Sequence, residues 1–99
     1  MCVELMNPTR PIWKNDEEHA TDAEKVSAAS GFTAYCGAYT IDEMNRIIVH
    51  SPDVAFLPNY IGTMQKRPYR LEGHRLIFSG AEPTGDIKSW SIVWEKVGL

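Results

Sequence analysis

The sequence predicts a mainly β protein, an antiparallel up-and-down meander curling into a small barrel, with one short helix. Three observations predict it. Five or six short runs alternate apolar and polar residues with the two-residue period of a strand. Short turns rich in Gly, Pro, Asn and Asp join them. A single stretch carries helical spacing. A sheet of this size must protect its edges, and closure into a barrel is the common solution. With 99 residues, the chain is expected to form one domain over residues 1–99.

Cys2 to Met6 reads as a short strand, ended by two prolines in Asn7-Pro8-Thr9-Arg10-Pro11. Ile12 and Trp13 are candidate lid residues. Asn15 to Ser30 is the helical stretch. Within it Thr21-Asp22-Ala23-Glu24 has the residues of a capping box, Asp22 and Glu24 suit the positive end of the helix dipole, and Gly31 suits the C′ position. Asp16-Glu17-Glu18-His19 is read as a solvated face.

Phe32 to Ile41 alternates Phe32, Ala34, Cys36 and Ala38 on one face with Thr33, Tyr35, Gly37 and Tyr39 on the other. Two tyrosines around a glycine leave a notch between rings. Asp42-Glu43-Met44-Asn45 turns the chain into a run from Arg46 to Ser51, a hairpin with a four-residue loop. Pro52 demotes Val54–Leu57 to an edge or bent segment. Pro58-Asn59-Tyr60 is a corner. Ile61 to Leu71 is a long strand, locally at an edge or bulged at Pro68. Glu72-Gly73 turns into Arg75–Ser79, Gly80–Asp86 is the longest loop, and Lys88–Val97 closes the chain.

Composition excludes several classes. The net charge of −3 and the lack of a basic stripe argue against nucleic acid. No window approaches the ~20 apolar residues of a membrane span, and the first residues have no signal-peptide pattern. Cys2 and Cys36 form no C-x-x-C motif; one disulfide between them is an open alternative, and free thiols and a reducing, cytoplasmic compartment are the expectation. The three histidines lack metal-ligand spacing and the glycines form no phosphate loop, so neither metal nor cofactor is expected.

The segments A-Y-C-G-A-Y, I-I-V-H-S, L-P-N-Y-I-G-T-M-Q-K-R-P-Y-R-L-E-G-H-R-L-I-F and V-W-E-K together resemble the lipocalin-like domain family of the calycin group, most specifically over residues 34–78 and 93–97. The resemblance implies a lipocalin-like barrel around an internal cavity, and some members of the family belong to secondary-metabolite biosynthesis. Family members usually open with a G-x-W strand and a second strand, which this chain lacks. About two strands short, the barrel is expected to be open and its apolar patch covered in a homodimer or higher oligomer.

Candidate chemistry centres on Arg67 and His50. Arg67 shares a strand face with Ile61, Thr63, Tyr69 and Leu71. Facing inward, it would clamp a carboxylate or enolate oxygen. The structural alternatives are an ion pair, for instance with Glu95, or an outward position if Pro68 shifts the register. His50 shares a face with Arg46 and Ile48. It titrates near neutrality and suits a general base, or it is a satisfied wall histidine. Both positions match residues of the family. Tyr35, Tyr39, Asn59, Tyr60, Tyr69 and Trp94 complete the candidate ligand-binding set. Trp90, Ile92 and Trp94 form a packing stripe, inside the barrel or against Trp13 and the helix. The leading expectation is binding of a small, mostly apolar, oxygen-bearing organic ligand. One alternative is a cofactor-free isomerase, cyclase or dehydratase in which His50 moves a proton and Arg67 stabilises an enolate. Another is an assembly protein pairing through an incomplete barrel.

Overall fold

A computed structural model describes residues 1–81 and 89–98. Its elements are β1 (Cys2–Met6), α1 (Asp22–Ser30), β2 (Phe32–Asp42), β3 (Ile47–Ala55), a 3-10 turn (Pro58–Tyr60), β4 (Gln65–Glu72), β5 (Arg75–Ala81) and β6 (Ser89–Glu95). The six strands form one antiparallel sheet in chain order, curled into a half-barrel. Among the described residues β1 pairs only with β2 and β6 only with β5, so the curl has two free edges. The radius of gyration, 16.2 Å, exceeds the roughly 13 Å of a compact chain this long. The buried apolar core is accordingly thin: Val3, Tyr35, Ile48, Ile77 and Phe78.

Three local features bend the sheet. In the β2–β3 ladder Cys36 faces Val54 and Gly37 faces Pro52, so Asp53 is an extra residue in β3. Such a bulge sharpens strand twist. Gly37 is required there, because a Cβ would strike the backbone of Ser51 and Pro52. The notch expected between Tyr35 and Tyr39 is therefore filled by the β3 backbone. Of the two readings, the bent continuation is the one found: β3 runs through Pro52 and the bulge at Asp53 to Ala55. Ladder pairing of β3 with β4 stops at His50, and the Pro52 carbonyl instead accepts from Gly62 N–H. The missing donor of Pro52 thus faces a side with no ladder to break.

The third feature is Pro68. The first half of β4, Gln65–Pro68, pairs with β3, and the second half, Tyr69–Glu72, pairs with β5. The proline sits where the strand changes partners, its backbone opposite Ile47 at the last step of the first ladder. It is neither bulged nor a cause of slipped register. The expected strand start at Ile61 is corrected to Gln65, because Tyr60–Thr63 is held in turns by Thr63 N–H to Tyr60 O and Gly62 N–H to Pro52 O.

The hairpins follow their turn chemistry. Asp42 accepts from the backbone and side-chain amides of Asn45, and its carboxyl is held below the usual range by the Asn45 side chain first. Arg46, with φ 54°, completes this four-residue turn. Gly73 has φ 60° in the two-residue turn between β4 and β5, the conformation that primed hairpin turns need. Most of the Gly80–Asp86 loop, and Lys88 at the expected start of the last strand, lie outside the described residues.

The helix is shorter than expected, Asp22–Ser30 rather than Asn15–Ser30. Its capping box forms as expected, with Glu24 N–H donating to Thr21 Oγ1 at 3.2 Å and Thr21 N–H to Glu24 Oε1. The same carboxylate takes Lys14 N–H and the Asn15 side chain, each at 2.8 Å. These bonds, that of the Asn15 side chain foremost, hold the Glu24 pKa down to about 2. They use Glu24 to stop a second loop, which is why residues 15–21 do not continue the helix. Gly31 is not left-handed, with φ −110°. Its bareness instead admits Arg10, whose stem would collide with a Cβ and whose guanidinium stacks on Phe32. Ile12 is 96% exposed and lids nothing.

The free-thiol expectation is overturned. Cys2 and Cys36 face each other across the β1–β2 ladder and form a disulfide. Sequence spacing alone could not show this, because the 34-residue separation is closed only by strand pairing. Reduction with dithiothreitol should lower unfolding stability by about 2–4 kcal/mol, read as a drop in the denaturant midpoint. An unchanged midpoint would contradict the bond.

Candidate functional site

Strand alternation turns one residue in two toward the concave side of the curl. From β3 these are Ile48, His50 and Pro52, all buried. From β4 the less exposed positions are Gln65, Arg67 and Tyr69, and from β6 Trp90, Ile92 and Trp94. The tryptophan stripe therefore lies on the concave face, not against Trp13 and the helix. Arg67 stands opposite Ile48 in the ladder and His50 opposite Gln65, so the guanidinium and the imidazole are diagonal neighbours on one face.

His50 is 4% exposed, the one buried polar or charged residue among those described. Its Nδ1 lies 2.6 Å from the Tyr35 hydroxyl. The hydroxyl has no other partner among the described residues. The arrangement that leaves neither group unpaired has Tyr35 donating to Nδ1, which puts the ring hydrogen on Nε2. Burial first, then the positive charge of Arg67 and of the chain's amino group, push the His50 pKa below its ordinary value. The ring is thus neutral at pH 7.

Ring contacts extend from this pair in both directions. His50 packs edge-on against Phe78 at 5.8 Å between centroids, and Tyr35 against Tyr60 at 5.8 Å. The row Phe78–His50–Tyr35–Tyr60 links two hollows. The first, of about 220 Å³, is lined by Met1, Val3, Ile48, Leu76, Phe78 and Trp94, with His50 and Tyr39 among them. It is bounded by β1 on one side and β6 on the other, so the curl brings the opposite ends of the sheet to one cavity. The second, of about 270 Å³, is lined by Tyr60, Gln65, Arg67, Trp90 and Ile92.

Arg67 faces this second hollow. Its Nη2 donates to Gln65 Oε1 at 3.3 Å, and the guanidinium lies 5.6 Å from the Trp90 ring centroid. Gly80, opposite Trp90 in the β5–β6 ladder, lets that ring lie flat across β5; a Cβ would overlap it. The ion pair of Arg67 with Glu95 considered from the sequence does not form. Glu95 instead lies 3.8 Å from Arg75, at the surface.

The expected site residues thus divide. His50, Tyr39 and Trp94 line the first hollow, Tyr35 stands behind His50 and bonds it, and Tyr60 and Arg67 line the second. Tyr39 is 54% exposed, a rim residue rather than a wall. Asn59 is exposed in the 3-10 turn and serves the corner. Tyr69 is inward but lines neither hollow; its backbone N–H donates to Arg46 O. Sequence reading missed Val3, Ile48, Leu76 and Phe78 in one hollow and Gln65 in the other. Their alternation was visible, but which apolar face borders empty space is a property of the curl.

A half-barrel with an apolar hollow, a buried imidazole in its wall and a guanidinium further along the same face has the form of a ligand-binding cup. The chain belongs to the lipocalin-like domain family, whose model matches residues 1–97. It is also similar to the 4'-hydroxy-3'-methoxypropiophenone carrier protein ppsC of Aspergillus oryzae, 30% identical over 97 residues that cover 83% of this chain and 87% of that one. No solved structure matches the chain. No helix among the described residues is long and apolar enough to cross a membrane.

Two measurements check the polar pair. The His50 ring should titrate with a midpoint below 6.5 in an NMR pH series. Because the folded pKa is depressed, stability should be complete above about pH 6.5 and fall as the pH drops through the folded value. Tyr35→Phe should cost about 1–3 kcal/mol by leaving Nδ1 unpaired.

Proposed function

We propose that this protein binds and carries a small, mostly apolar organic molecule bearing one or two oxygens, held in the hollow between β1 and β6. The observation that carries the reading is the first hollow itself. Its walls are Val3, Ile48, Leu76, Phe78 and Trp94, and His50 is the buried polar group set among them. An aliphatic and aromatic lining with one fixed polar group favours a ligand with a ring or chain and an oxygen acceptor. His50 Nε2–H supplies the donor.

The carrier similar to this chain is named for an aryl ketone. A substituted aryl ketone has this chemistry, an apolar ring with a carbonyl, and we carry that class, not that compound, to the present protein. The ground for a reducing, cytoplasmic compartment was free thiols, and the Cys2–Cys36 bond removes it.

Binding is tested by titrating the ¹⁵N-labelled protein with propiophenone. Shift changes should concentrate at Ile48, His50, Leu76, Phe78 and Trp94. Leu76→Trp, which fills the hollow, should weaken binding at least tenfold. Changes scattered over the surface, or equal affinity for the filled variant, would sink the reading.

A second copy of the chain is proposed to cover the open side. Among the described residues the curl leaves β1 and β6 each paired on one side only, and Ile41, Phe56 and Ile61 are half exposed or more. Unpaired edges and apolar patches are surfaces that associate. Light scattering behind size exclusion should give twice the mass of the chain or more at micromolar concentration. A monomer there would count against the dimer but not against the ligand cup.

A further inference from the structure

We propose that the second hollow is an anion subsite, so that the full ligand is an amphipathic acid whose carboxylate or ionised enol meets Arg67 while its apolar body lies toward His50. This rests on the carrier reading and names the class of molecule carried.

The argument begins with charge. Arg67 is part-buried on the concave face, and no carboxylate among the described residues pairs with it. Its hydrogen-bonding partner there is a neutral amide oxygen, Gln65 Oε1, at 3.3 Å. Gln65 is itself committed elsewhere, its amide nitrogen donating to Thr63 Oγ1 at 2.7 Å. A guanidinium offers five N–H donors in a planar fork, and one acceptor leaves most of that fork unused. The arginines near the surface behave otherwise: Arg70 is bonded to Glu72 at 2.8 Å, and Arg75 lies near Glu95.

Orientation comes next. Trp90 lies beneath the guanidinium, in space that Gly80 leaves open. Stacking on an indole fixes the plane of the fork without consuming its N–H groups. Thr63 positions Gln65, Gln65 and Trp90 position Arg67, and the hollow of about 270 Å³ lies in front of it. A held fork that pairs with no carboxylate among the described residues and faces a cavity is the geometry that bidentate carboxylate recognition uses.

The two hollows also belong together. The inner stripe of β6 puts Trp94 in the first and Ile92 and Trp90 in the second. The ring row Phe78–His50–Tyr35–Tyr60 runs between them. An acid of modest length lying along this row reaches Arg67 with one end and the greasy wall with the other.

The test compares 4-phenylbutanoate with propiophenone as probes of the whole chain, by NMR titration and calorimetry. The acid is expected to bind wild type and to lose at least tenfold in affinity in Arg67→Met, whereas the neutral ketone changes less than twofold. Arg67→Lys, which keeps charge but not the fork, should recover part of the acid's affinity. Bound acid, unlike the ketone, should raise the titration midpoint of His50 by offsetting the arginine charge. A ketone that binds while the acid does not overturns the subsite and leaves the carrier reading standing. Failure of both probes overturns both. Equal loss of the two probes in a folded Arg67→Met also overturns the subsite, since it would make Arg67 a structural residue.

Discussion

The hydrogen bond between the Tyr35 hydroxyl and His50 Nδ1 is the constraint from which the rest of the site follows. An imidazole 4% exposed in a wall of Ile48, Phe78 and Pro52 is costly unless its ring nitrogens are satisfied. One is satisfied by Tyr35. The two residues are not ladder partners: Tyr39 faces His50, and Tyr35 faces Ala55 beyond the bulge. The bond is therefore diagonal, and it closes only if β2 and β3 twist sharply. Gly37 and the extra Asp53 supply that twist. Remove either and the imidazole loses its partner, so the bulge, the glycine and the buried pair form one device.

The same twist decides where the sheet ends meet. β4 leaves β3 at Pro68 and takes up β5, and this change of partner carries β5 and β6 around the curl. The result is that Trp94, from the last strand, lines the same hollow as Val3 from the first. Among the described residues no strand joins β1 to β6, so the cavity depends there on side chains rather than on a continuous hydrogen-bonded wall. The disulfide then has a clear place in the design. It ties the edge strand β1, which bounds the hollow, to β2, which carries Tyr35. An edge strand of five residues paired on one side is otherwise the first element to fray.

Much of this was legible in the residues. The alternation through Ile47–Ser51 places His50 with Ile48, and the stripe Trp90–Ile92–Trp94 is plain, because a period of two depends only on local backbone geometry. The capping box at Thr21 was legible for the same reason. What was not legible depended on partners distant in sequence. Pro52 left an edge segment and a bent continuation both open because a proline removes a donor, and only the absence of a ladder on that side among the described residues lets β3 run on through it. Ile61 looked like a strand start because its neighbours are apolar, yet the turn around Gly62 claims it. Cys2 and Cys36 looked unpaired because register, not spacing, brings them together. Asn59, read both as a corner residue and as a ligand group, stands exposed in the 3-10 turn. The division of the site residues between two hollows could not be read either, since it reflects the curvature of the whole sheet.

The geometry also bears on whether His50 moves a proton or holds a ligand. A general base is most effective when its pKa lies near the working pH. Burial and the nearby Arg67 push this one down, which weakens its proton affinity. Its Nδ1 already accepts from Tyr35, and with Nε2 protonated the ring faces the hollow as a donor. To act as a base at Nε2 the ring would have to carry its hydrogen on Nδ1 instead, which makes the Tyr35 hydroxyl the acceptor and leaves that hydroxyl's own hydrogen without a partner among the described residues. To act as a donor it need change nothing. Fixed donors set in an apolar wall hold an oxygen in place. A carrier needs no more than this, and it gains from the neutrality of the ring because a charged imidazole would bind water as readily as ligand. These grounds support the proposed reading of retention rather than turnover, in which His50 and, in the anion subsite proposed above, Arg67 would act as two ends of one grip.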